Sequence, residues 1–123
     1  DLNKRIKYIE SLNTTLFVSL HLNYYQDSNV NGIQVFYQKE SENSILLANT
    51  LQKILNTENK KDKKCKVGNY YLLENSKTTG VIIEYGFVSS EYDREKLLSD
   101  KYLLKLANLI KKGINEYLSI IDK

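Results

Sequence analysis

Two short apolar runs constrain the fold of this chain more than any other feature. They are Leu16-Phe17-Val18-Ser19-Leu20-His21-Leu22-Asn23 and Val81-Ile82-Ile83-Glu84-Tyr85-Gly86-Phe87. Neither approaches the ~20 apolar residues that a membrane-spanning helix needs. The nearly continuous character of the first suggests a strand buried on both faces, as in a parallel sheet. The second is the most apolar strand in the sequence. Each carries one ionisable group toward its end, His21 or Glu84. In parallel sheets, binding and chemistry gather just outside the carboxyl ends of the strands. The pair His21 and Glu84 is therefore the candidate functional centre.

Helical patterns separate these runs. Leu2, Ile6, Ile9 and Leu12 recur every three or four residues and predict a short first helix, ended by Asn13-Thr14. Residues 15–22 follow as the first strand. Turn chemistry over Asp27–Gly32 precedes residues 32–38, whose alternation predicts a strand with one wetter face. Ser41 is a good N-cap for a helix over about residues 42–56, with the stripe Ile45, Leu47, Ala48, Leu51, Ile54, Leu55. A charged loop at residues 59–66, a short strand at Tyr70–Leu73 and a turn at residues 75–80 lead to the apolar strand at 81–85. Ser90 can cap a helix running to about Leu98, with Asp93 placed to reach back toward its first turn. Ser99-Asp100 restarts a long last helix with the stripe Leu103, Leu106, Ala107, Ile110, Ile114, Tyr117, Leu118, Ile121. Gly113 inside it costs up to ~1 kcal/mol relative to alanine. Strands interleaved with helices predict an α/β layer fold whose central sheet is mostly parallel and flanked by helices.

The 123 residues suffice for one domain with one core. The chain has no methionine and opens inside a helical pattern, so it reads as the C-terminal part of a longer protein. Its net charge of +3 fits a polyanionic neighbour, nucleic acid or anionic cell wall, without choosing between them. The basic run Lys60–Lys66 has two readings, a solvated loop or a phosphate contact. Cys65, the single cysteine, excludes an internal disulfide and a cysteine metal cluster. Its lysine-rich surroundings would lower its pKa, but it reads as an incidental surface thiol.

His21 has two readings as well. It is either a core histidine bonded to a backbone carbonyl or a metal ligand. One histidine cannot build a catalytic zinc site, which takes three protein ligands and an open position. Glu84 is either a strand-end carboxylate paired with a lysine, or a ligand or general base. If the two strands are parallel neighbours, both side chains emerge on one rim, where Asn23 and Gln34 could add hydrogen bonds. Tyr24, Tyr25, Tyr70, Tyr71 and Tyr85 also fall near strand ends, where aromatics either pack or stack on substrate.

These segments resemble, in order, those of the zinc-dependent N-acetylmuramoyl-L-alanine amidases, the amidase_3 family. Leu16–Asn23 resembles the family's "LFVSIHxN" strand. Gly32-Ile33-Gln34-Val35-Phe36-Tyr37 looks like "GxxxFY", and Ser41-Glu42-Asn43-Ser44 with Leu47-Ala48 looks like its "S..S..LA" helix start. Tyr71-Leu72-Leu73 is similar to its "YVLR/YLL" element, and Ile83–Ser90 to "VECGFLSN". Thr79-Gly80 replaces the family's usual proline, and Tyr85 its frequent cysteine.

The resemblance implies a peptidoglycan hydrolase that cuts the amide between N-acetylmuramic acid and L-alanine with zinc-activated water. Zinc in that family is held by two histidines and a glutamate, and a further glutamate is the general base. His21 matches the later histidine ligand and Glu84 the base. The earlier ligands belong to motifs upstream of Asp1, so residues 1–123 look like the C-terminal part of a single catalytic domain without its N-terminal strands, inactive alone. The resemblance further implies a cell-wall or spore-envelope location, similarity to the small sporulation and germination amidases, an accessory or activating protein as partner, and no nucleic acid. Two rivals are another zinc peptidase and a non-catalytic module binding wall polymer or nucleic acid.

Overall fold

The computed structural model describes residues 1–122. Helix α1 covers Leu2–Ser11, capped by Asp1, whose carboxylate accepts from the Lys4 amide at 2.9 Å. Strands β1, Phe17–Asn23, and β2, Gln34–Tyr37, precede helix α2, Glu42–Leu55. Ser41 caps α2 as its sequence position predicts, accepting from the Ser44 amide at 3.1 Å. A 3-10 turn at Asn56–Glu58, strand β3 at Lys66–Val67 and helix α3 at Tyr71–Asn75 follow. The chain ends with β4, Gly80–Phe87, α4, Glu91–Leu97, and α5, Asp100–Ile121.

The strands form one sheet in the order β1-β4-β2-β3. β1 and β4 are parallel, as are β2 and β3, while β2 and β4 run antiparallel. The sheet is thus mixed, with two of its three pairings parallel. Helices α2 and α5 cover one face. Val35, Val81 and Ile83 meet Leu47, Ala48, Leu51, Leu55, Leu106 and Tyr117 there in the main core. Alternation along β4 turns Ile82 and Glu84 to the opposite face.

Several expectations change. β1 is not buried on both faces. Among the described residues it pairs only with β4, and Leu20 and Leu22 are 56% and 48% exposed. In α1 only Ile6 is buried, Ile9 is half-buried, and Leu2 and Leu12 face solvent. β2 has no wet face at Gln34. That side chain is buried, and its amide donates to the Lys64 carbonyl and to Gln52. The segment expected as a strand at Tyr70–Leu73 is the start of α3, with the Glu74 amide donating to the Tyr70 carbonyl at 2.9 Å. Leu72 and Leu73 are both buried on this short helix. The pairing strand lies instead in the charged loop, at Lys66–Val67.

The last helix also turns relative to the expected stripe. Leu106, Gly113 and Tyr117 are buried, whereas Leu103, Ala107 and Ile121 are exposed. Gly113 sits where α5 crosses α2: a Cβ there would lie 2.5 Å from Leu51 Cδ2. Asp93 does not reach back along α4. Its carboxylate accepts from the Gly32 and Phe87 amides, each at 2.9 Å, and ties the end of β4 to the turn before β2.

Candidate active site

The parallel pairing places His21 directly beside Glu84 in register. Neighbouring strands lie about 4.8 Å apart, and residues paired in register project from the same face. The two side chains predicted from the sequence therefore share one face at the carboxyl end of two adjacent strands. Immediately beyond them the register shifts, so that Asn23 pairs with Phe87. Such irregularities re-aim side chains and recur beside active sites. The rim is fixed by the Val88 amide, which donates to the Asn23 carbonyl at 2.8 Å, and by the Tyr25 amide, which donates to Ser89 Oγ at 2.9 Å.

His21 is half-buried, and Ser19 Oγ lies 2.8 Å from its Nε2. Ser19 precedes it by two residues, so strand alternation puts both on one face. Among the described residues no other hydrogen bond to the ring is formed, leaving Nδ1 free to bind a metal. Fixing one ring nitrogen by hydrogen bonding is how ligating histidines are oriented.

Glu84 is 4% exposed. The Tyr70 hydroxyl donates to its Oε1, while the buried Oε2 has no partner among the described residues. A carboxylate with one oxygen held and one unpartnered can accept a proton or bind a cation. Burial and the adjacent Glu84 carboxylate push the Tyr70 phenol well above its ordinary pKa, so it stays protonated as the donor. Tyr70 enters from the start of α3. Its ring meets Phe36 edge-on at 5.4 Å and 68°, and lies 6.1 Å from the His21 ring. Ser19 could have been found from its spacing to His21. Tyr70 is among the tyrosines read near strand ends, but its contact with Glu84 could not be foreseen, because neither strand nor helix periodicity links residue 70 to residue 84.

Other sequence candidates lie elsewhere. Gln34 is a buried strap to the β3 loop, and the Asn23 side chain accepts from the Tyr24 amide. The basic loop is largely solvated, with Lys60, Lys61, Asp62, Lys64 and Lys66 exposed and Lys63 and Cys65 half-buried. Lys60 Nζ lies 3.8 Å over the Tyr92 ring, and burial lowers the Lys63 pKa. A cavity of about 420 Å³ lined by Asn29, Asn31, Asn59 and Lys60–Lys63 adjoins that loop, and neither His21 nor Glu84 lines it. Burial raises the Cys65 thiol pKa, contrary to the lowering its lysine neighbours suggest, and its Sγ contacts Asn49 Oδ1 at 3.3 Å.

The family described as N-acetylmuramoyl-L-alanine amidase (Amidase_3) matches residues 1–116. A germination-specific N-acetylmuramoyl-L-alanine amidase of Bacillus subtilis (strain 168) is 34% identical over 119 residues, covering 95% of this chain and 50% of its own length. The CwlD amidase of Clostridioides difficile, solved in complex with the GerS lipoprotein, superposes with a TM-score of 0.92 at 34% identity, over 97% of this chain and 62% of that one. The catalytic domain of CwlV, the amidase of Bacillus (Paenibacillus) polymyxa var. colistinus, gives a TM-score of 0.87 at 28% identity, over 97% and 66%. The chain spans 50% of the first of these relatives and under two thirds of CwlD.

Proposed function

Because the chain belongs to the N-acetylmuramoyl-L-alanine amidase family Amidase_3, we propose that it is the C-terminal part of a single catalytic domain that hydrolyses the amide between N-acetylmuramic acid and L-alanine. The observation that carries this reading is the in-register pairing of His21 with a buried Glu84 whose Oε2 is unpartnered. The donor chemistry suits zinc, with one imidazole nitrogen available beside a carboxylate. His21 would supply one ligand. Catalytic zinc takes three protein ligands, and among the described residues no cluster of three histidine, cysteine or acidic side chains exists. The other two ligands are assigned to residues outside this chain.

When bound, zinc polarises the scissile carbonyl and makes water a nucleophile near neutral pH. Glu84 takes a proton from the attacking water as the new C–O bond forms. It returns that proton to the departing nitrogen as the C–N bond breaks, leaving the free amine of L-alanine and a carboxylic acid that gives its remaining proton to solvent. Ser19 holds the His21 ring in place throughout.

The substrate on this reading is peptidoglycan. The names of the B. subtilis germination amidase and of CwlD with its GerS lipoprotein support a spore-envelope or cell-wall location and an accessory or activating protein. Among the described residues no helix is long and apolar enough to cross a membrane.

Replacing Glu84 with glutamine in the intact protein tests the assignment. Turnover on peptidoglycan, read as newly released L-alanine amino groups, should fall at least ~100-fold while bound zinc is retained. Near-normal turnover would overturn the reading.

A further inference from the structure

We propose that Tyr70 is a positioning residue for Glu84: its hydroxyl pins Oε1, so that Oε2 is the atom that takes the proton. The inference rests on the reading of Glu84 as the base. A carboxyl group rotates through a broad, roughly two-fold well about its last torsion. Free in that well, either oxygen would face the substrate for only part of the time. A general base works by geometry first, within hydrogen-bond reach of the proton it removes. The Tyr70 hydrogen bond removes this rotational freedom, and it is the single hydrogen bond made by the carboxylate among the described residues.

Tyr70 is itself held from three sides. Its carbonyl accepts the Glu74 amide at 2.9 Å, which fixes the backbone at the start of α3. Its ring meets Phe36 edge-on. Its flank rests on Gly68, where a Cβ would come within 2.8 Å of Tyr70 Cδ2 and 2.9 Å of Phe36 Cβ. Only glycine leaves room for the ring in this place. Strand β2, the glycine and the first turn of α3 thus converge on delivering one hydroxyl to one carboxylate oxygen. The remaining oxygen is buried, unpartnered and on the same face as His21.

The test is Tyr70→Phe in the intact, zinc-loaded protein acting on soluble muropeptide. Expected is an about tenfold fall in kcat, about 1.4 kcal/mol in the barrier, with KM and zinc content unchanged. In an E84Q background the same substitution should cost nothing further, because the group that Tyr70 orients no longer acts as a base. A slowly exchanging, downfield hydroxyl proton in the NMR spectrum should be present in the wild type and lost in both Y70F and E84A. An unchanged kcat in Y70F, an equal loss in the E84Q background, or absence of that resonance from the wild type would each overturn the proposal. Full activity of E84Q would instead remove the base itself, and so separates failure of the underlying reading from failure of the positioning role.

Discussion

His21 shows how much one neighbour decides about a side chain. A core histidine would be enclosed and bonded to a carbonyl, yet this one is half-buried and touched through Nε2 by the hydroxyl of Ser19. That arrangement orients a ring without burying it, which suits a ligand at a sheet rim. His21→Ala in the intact protein should therefore lower bound zinc and abolish hydrolysis together, while the melting temperature of the metal-free protein changes little. A core role would give the reverse, with zinc kept and stability lowered by roughly 1–3 kcal/mol from an unpaired buried partner. Measuring zinc and melting temperature on the same variant distinguishes the two.

At the scale of elements, the contact between α2 and α5 holds the side of the sheet opposite the site. Gly113 lies against Leu51 in that contact. Helices pack about 8–10 Å apart depending on the side chains at the crossing, and a glycine there permits the nearer end of that range. Gly113→Ala would remove the helix-propensity cost of glycine yet place a methyl group 2.5 Å from Leu51 Cδ2. Overpacking should win, with a net loss of about 1–3 kcal/mol measurable by urea denaturation. A more stable G113A would show that α5 can shift away from α2 at no cost. In a Leu51→Ala background, itself destabilised by the cavity it leaves, Gly113→Ala should cost less than in the wild type, since the colliding atom is gone.

Across the whole molecule, buried phenols couple folding to alkaline pH. Burial, with Glu58 and Asp93 nearby, pushes the Tyr102 phenol up to about 12, and burial raises Tyr117 as well. Unfolded tyrosines titrate near ~10, so the folded state keeps these protons longer than the unfolded chain does. Their contribution to stability is complete below pH ~10 and is lost as pH rises through the folded value. Lys63 works in the other direction, because burial lowers its pKa. Below ~10.5 it makes stability rise with pH, and above that value it adds no further slope. Denaturation free energy should consequently fall between pH ~10.5 and about 12, and Tyr102→Phe should flatten the fall. An equal slope in wild type and Y102F would refute the coupling.

The sequence by itself determined what depends on near neighbours. Ser41, Ser90 and Ser99 cap the helices that their positions predict, because a cap is settled within one turn. The apolar runs became β1 and β4, and their endings at His21 and Glu84 were legible as a candidate site before any pairing was known. Tertiary structure decided everything that required knowing who lies beside whom. Leu20 and Leu22 read as buried from their own composition, but a strand's burial depends on its neighbours, and among the described residues β1 has only β4 beside it. Tyr70–Leu73 looked extended because a four-residue apolar run fits a strand or a helical turn equally well. The Glu74 amide donating to the Tyr70 carbonyl marks the helical turn. The same holds for the site. Period-two spacing could join Ser19 to His21, whereas only the folded chain could bring Tyr70, fourteen residues earlier in sequence, onto Glu84.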